Sequence, residues 1–152
     1  MSIRIAPLPQ SFLRRVRREG IDDLGQPVKR VVAAGGEPCR DVLRRAEAGE
    51  ELILASFTPF TKAGPYKEYG PVFVLADDTE AASLPALPTD GYLRDRFVIR
   101  AYSEAEEILD AAMVTPEEAS AAVEQFLGRG ETAFLHVRFP TYGCFALRVD
   151  RS

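Results

Sequence analysis

The chain has 152 residues, 46% of them apolar and 28% charged, with a net charge of −4. That is the size and balance of one ordinary globular domain with enough chain to bury a core, and it excludes a global polycation that would hold nucleic acid. One histidine and two cysteines make neither a disulfide framework nor a four-ligand zinc site. The first residues lack the apolar core of a signal peptide, and no run approaches the ~20 apolar residues of a membrane span. The expectation is a single domain over 1–152, cytoplasmic and reduced. It has no metal, no cofactor, and neither nucleic acid nor membrane as a partner. Oligomeric state stays open.

Residues 3–6 read as a short edge strand ended by Pro7 and Pro9. From Gln10 to Arg18, Phe12, Leu13 and Val16 fall on one side of a helix that Gly20 stops. Val28 to Ala34 reads as a strand, and Asp41 as the cap of a short helix through Leu43 and Ala46. Glu51 to Phe57 is apolar on both faces, which places it inside a sheet. Thr58 to Gly70 is a long connection rich in proline, glycine and aromatics, and such loops are often functional. Pro71 to Leu75 is a further strand. Ala76 to Asp90, acidic and broken by prolines, is a surface excursion.

Phe97 to Tyr102 is a strand whose Arg100 and Tyr102 point the same way. Residues 103–114 fit either a helix, with Ser103 and Glu106 at capping-box spacing, or a turn and a strand. Thr115, Pro116 and Glu118 form a clear helix start, and Ala119, Ala122, Val123, Phe126 and Leu127 form its apolar stripe. The C-terminal stretch alternates around a tight turn. Leu135, Val137, Phe139, Phe145, Leu147 and Val149 share one face; Phe134, His136, Arg138, Cys144, Ala146 and Arg148 share the other. Pairing Phe139 with Phe145 sets His136 opposite Arg148 and Arg138 opposite Ala146. The predicted fold is α+β: a mainly antiparallel sheet with a C-terminal hairpin at about 133–149, packed by a helix at about 116–127.

Several pieces together carry a resemblance: Pro38-Cys39-Arg40, Gly49-Glu50, Pro65-Tyr66, Tyr69 to Val74, Arg100 to Tyr102, His136 to Arg138, Gly143 to Phe145, and Arg148 to Arg151. With them the chain resembles an uncharacterised bacterial family, the domain-of-unknown-function family numbered 1203, from about Val31 to Arg151. It departs from that pattern at Phe139 to Tyr142, where a polar turn is expected. The resemblance implies a shared fold and brings no activity, substrate or cofactor.

The function stays open between three readings. In the first, the protein binds a small anion or carboxylate in an Arg/His crevice on the C-terminal hairpin. Arg138 and Arg148 clamp the ligand beside His136, and Arg40, Arg100 and Tyr102 join if their strands are adjacent. Arginine suits bidentate recognition of carboxylate or phosphate, and Asp41, Glu50 or Glu68 are the internal alternatives to a bound anion. In the second, the protein is an enzyme using Cys144 as nucleophile or His136 as base, against an inert buried cysteine. Cys39 is weighed as a second thiol near a helix start. In the third, the protein works through its surface with no small ligand. The basic run Arg14, Arg15, Arg17 and Arg18 reads as a solvated helix face rather than a nucleic-acid stripe.

Overall fold

The computed structural model describes residues 2–152. It holds two five-stranded sheets and two helical elements. The first sheet runs β1 (Ile3–Ala6), β10 (Phe145–Arg151), β9 (Phe134–Arg138), β7 (Phe97–Tyr102) and β8 (Ile108–Val114) in spatial order, all antiparallel. The second runs β2 (Lys29–Val32), β5 (Glu51–Phe57), β6 (Gly70–Leu75), β3 (Pro38–Cys39) and β4 (Arg44–Arg45), antiparallel except where β3 meets β6. The fold is α+β and mostly antiparallel, with the C-terminal strand pair and the late helix where the pattern puts them. Among the described residues, no helix is long and apolar enough to cross a membrane.

Helix α2 (Pro116–Leu127) starts with a complete capping box: the Thr115 side chain accepts from the Glu118 N–H, and the Glu118 carboxylate accepts from the Thr115 N–H. It lays Val123, Phe126 and Leu127 on Phe97, Ile99, Leu135, Val137, Leu147 and Val149. Helix α1 (Gln10–Arg14) continues as a π-helical turn over Arg15–Glu19, ended by Gly20 in the left-handed region at φ 69°. Its Phe12, Leu13 and Val16 cover Ile53, Ala55, Phe57, Val72 and Val74 of the second sheet.

The same turn points Arg17 inward. Its guanidinium donates to Asp41 at 2.9 Å and to the carbonyls of Leu75 and Thr79. Asp41, fully buried, also accepts from the Thr79 hydroxyl at 2.6 Å. So Asp41 caps no helix. Residues 40–43 are the turn between β3 and β4, with Leu43 at φ 55°, and the carboxylate fastens α1 to the second sheet. Arg17 is thereby withdrawn from the basic run.

Residues 103–114 resolve into a turn and β8. The Ser103–Glu106 spacing serves the turn: the Ser103 carbonyl accepts from the Glu106 N–H, and Glu106 takes φ 63°. Its buried carboxylate accepts from the Thr61 and Lys62 N–H groups, pinning the start of the 58–70 loop.

The hairpin carries the main departure from simple alternation. Arg148 faces His136, as the pattern predicts, but Arg138 faces Phe145 rather than Ala146. The Phe139 N–H donates to the Cys144 carbonyl at 3.0 Å, one residue short of the expected Phe139–Phe145 pairing. A bulge between Phe145 and Leu147 absorbs the difference. An extra residue in one strand reverses the facing of everything beyond it. Ala146 and Leu147 both join the core under α2, while Phe145 turns to the opposite face and meets Phe57 at 5.5 Å between ring centroids. Phe145 thus connects the two sheets instead of sharing a core with Val137. Cys144 lies in the turn, half-buried, outside the strand.

Candidate functional site

The bulge brings an arginine and an aromatic cluster to the end of the hairpin. The Phe145 carbonyl accepts from Arg40 Nε at 2.9 Å, and the Ala146 carbonyl accepts from the Tyr92 hydroxyl at 2.7 Å. Arg40 also donates to the Pro38 carbonyl. Beside it, Arg45 donates to the carbonyls of Gly36 and Tyr92. The Arg40 and Arg45 guanidinium carbons lie 5.3 and 5.2 Å from the centre of the Phe139 ring, and Tyr92 meets the same ring edge-on. Strand alternation explains the choice of arginine: Arg44 points out to a bidentate pair with Glu50, so Arg45 points in.

This corner opens into a cleft of about 1130 Å³. Leu54, Phe73 and Phe57 of the second sheet form one wall. Arg138 and the hairpin turn, with Tyr142 and Cys144, form another, and Glu68 and Tyr69 of the 58–70 loop and Arg94 to Arg96 complete the rim. Among the described residues, no carboxylate lies within salt-bridge distance of Arg40, Arg45, Arg94 or Arg96, although Glu37, Glu68 and Asp95 line the same cleft. Glu37 is occupied by the N–H groups of Ala34 and Gly35. Burial first, and then the positive charge of Arg94, hold the Arg45 guanidinium below its ordinary pKa, with Arg40 acting the same way. Five arginines and three carboxylates line the cleft, so positive charge is in surplus there.

His136 sits elsewhere. It is fully buried, with ring centroids of Phe60, Tyr102, Phe134 and Phe145 at 4.7–5.1 Å, and neither ring nitrogen has a hydrogen-bond partner among the described residues. Burial first, then the charges of Arg138, Arg148 and Arg100, hold its pKa well below 6.5, so the ring is neutral. Arg100 and Arg148 flank it from β7 and β10 as cross-strand partners.

The residues singled out from the sequence thus divide. Arg40, Arg138 and Cys144 line the cleft. His136, Arg100, Tyr102 and Arg148 lie outside it. Tyr102 belongs to the ring cage and receives a long bond from Arg100. Arg148 lies over the Phe134 ring at 4.0 Å and donates to Asp150, so it does not share a clamp with Arg138. Arg138 is paired with Glu68, which also lies 3.7 Å from Arg100. Of the other suggested counter-charges, Asp41 belongs to Arg17 and Glu50 to Arg44.

Cys39 is buried between sheet and turn, where burial and then Asp41 push its thiol up to about 12, the opposite of an activated cysteine. Arg45, Arg94 and Arg96 are the site residues that pattern reading missed. For Arg45 the signal available was its neighbour Arg44, which faces Glu50 on the other side of the strand; Arg94 and Arg96 lie outside any strand and had no such signal.

Residues 36–151 match the family described as "Protein of unknown function (DUF1203)". The chain belongs to this family. The matched span includes every cleft-lining residue described above, and it includes Asp41 but not its partner Arg17, nor α1. No curated protein and no solved structure matches the chain. The DUF1203 assignment agrees with the resemblance read from the sequence, and it carries fold rather than chemistry.

Proposed function

We propose that this DUF1203 chain binds a small organic anion in the cleft at the base of the C-terminal hairpin. The acid group sits against Arg45, Arg94 and Arg40, and the apolar body lies along Phe73, Phe57 and Leu54. The observation that carries this is Arg40. It is 4% exposed, yet it donates to carbonyls alone and has Arg45 as its neighbour across one phenyl ring. Buried cations are ordinarily paired, and here the counter-charge is left to a ligand. Guanidiniums favour carboxylate and phosphate through paired N–H donors.

Of the Arg/His crevice expected from the sequence, this reading keeps Arg40 and Arg138. It leaves His136, Arg100, Tyr102 and Arg148 as supports of the adjoining sheet face. A nucleophilic role for Cys144 has one supporting observation, its place on the cleft wall. His136, enclosed by four rings, is not positioned as its base.

The test is thermal unfolding with phosphate, sulfate, succinate and benzoate, for wild type and Arg45→Met. A binder at a hundred times its dissociation constant stabilises by about 2.7 kcal/mol, and Arg45→Met loses most of that. Equal stabilisation of both proteins, or none by any anion, rejects the site.

A further inference from the structure

Among the described residues, Arg138 is the cleft-lining arginine paired with a carboxylate, that of Glu68. Its side chain is 5% exposed, while that of Glu68 is 43% exposed. Arg138 Nη1 donates to the Gly143 carbonyl at 3.1 Å. Its Nη2 meets Glu68 Oε1 in the ion pair, while its Nε has no hydrogen-bond partner among the described residues. Nε and Nη2 together are the edge of a guanidinium that matches a carboxylate bidentately. So Glu68 engages one nitrogen of the edge best suited to a ligand and leaves the other, Nε, without a partner.

The segment bearing Glu68 is anchored at its two ends. Glu106 pins the loop at Thr61 and Lys62, and β6 begins at Gly70. Between those anchors, residues 63–66 are exposed, and one internal backbone bond, Lys67 N–H to the Gly64 carbonyl, ties the stretch to itself. Apart from the Glu68 contacts with Arg138 and Arg100, no side-chain bond or ion pair links residues 63–69 to the rest of the described chain. Phe60, on the anchored side, stays on the His136 cage.

We propose that Glu68 is a removable stand-in for the ligand's own carboxylate, and that residues 63–69 form an autoinhibitory flap. This rests on the anion-binding reading of the cleft and names its ligand class, an organic carboxylate. The incoming carboxylate takes the Nε–Nη2 edge of Arg138, Glu68 is released to solvent, and the flap swings away from the rim. A ligand with a second acid group reaches the Arg45 and Arg94 end as well.

The experiment compares wild type with Glu68→Gln, which keeps shape and removes the competing charge. Benzoate, succinate and inorganic phosphate are the probes, read by calorimetric titration, and hydrogen exchange follows residues 63–69. The expected result is benzoate or succinate binding about tenfold tighter to Glu68→Gln. Faster exchange over 63–69 should follow the substitution alone, and carboxylate binding to wild type should produce the same change. Binding that is unchanged or weakened in Glu68→Gln overturns the flap while leaving the anion site standing. So does exchange over 63–69 that is the same in both proteins without ligand. Failure of all three probes to bind either protein overturns the anion site and the flap together.

Discussion

Acidification should unfold this protein earlier than its carboxylates alone would. His136 is fully buried, neither ring nitrogen is hydrogen-bonded, and burial and three arginines hold its pKa well below 6.5. In the unfolded chain the same ring protonates near that ordinary value. Between the two pKa values the unfolded state binds one more proton, so stability rises with pH across that window. The contribution is complete above about pH 6.5 and is lost as pH falls toward the folded pKa.

One proton sets a limiting slope of about 1.4 kcal/mol per pH unit, so pH 5 costs roughly 2 kcal/mol relative to pH 7 while the ring stays neutral. This is the chain's sole histidine, and N–H or guanidinium donors hold the carboxyls of Glu37, Glu50, Asp110 and Glu118 below their ordinary range, so their losses begin at lower pH. The assay is urea unfolding from pH 8 to pH 5, followed by circular dichroism, for wild type and His136→Phe. The variant keeps a ring among Phe60, Tyr102, Phe134 and Phe145 and has nothing to protonate. It should lose the slope between pH 6.5 and pH 5. A wild type indifferent to pH over that range, or a variant with the same slope, refutes the buried neutral ring.

Asp41→Ala strips Arg17 of its buried partner and should cost about 3–5 kcal/mol; a loss under 1 kcal/mol in urea unfolding would deny Asp41 its fastening role. Phe126→Ala opens the core beneath α2, where Phe126 is 4% exposed, and should cost about 3–5 kcal/mol by the same assay. Timed alkylation at neutral pH should label Cys144 in the native protein and leave Cys39 until unfolding, because only Cys144 reaches the cleft and burial pushes the Cys39 thiol up to about 12. Equal native labelling of both would contradict that placement.

What the sequence made legible was local and periodic. The capping box at Thr115 and the stripe through Phe126 gave α2 its bounds, and two-residue alternation gave β9, β10 and β7. Two features lay beyond pattern reading. The bulge at Phe145–Ala146 has no glycine or proline to mark it, and it depends on Arg40 and Tyr92, residues far off in the chain, to take its carbonyls. Once it is present, shared alternation no longer means a shared face, and Phe145 leaves the company of Val137.

The counter-charges were equally hidden. Asp41 looked like a helix cap because its short side chain suits one, but the buried Arg17 takes it. Arg148 looked like half of a clamp, but Asp150, two residues on along the same strand, already accepts from it. The position of a charge was readable from alternation. Its partner was a matter of tertiary geometry, and partnering decides which arginines remain for a ligand.

The most direct test is an NMR titration that follows the arginine Nε–Hε signals while succinate, with its two acid groups, is added to the wild-type protein. Arg45, Arg94 and Arg138 should shift together along one saturating curve, with Arg148 still. Movement of Arg148 in step with Arg138, or no saturable shift at Arg45 and Arg94, would contradict a ligand site in this cleft.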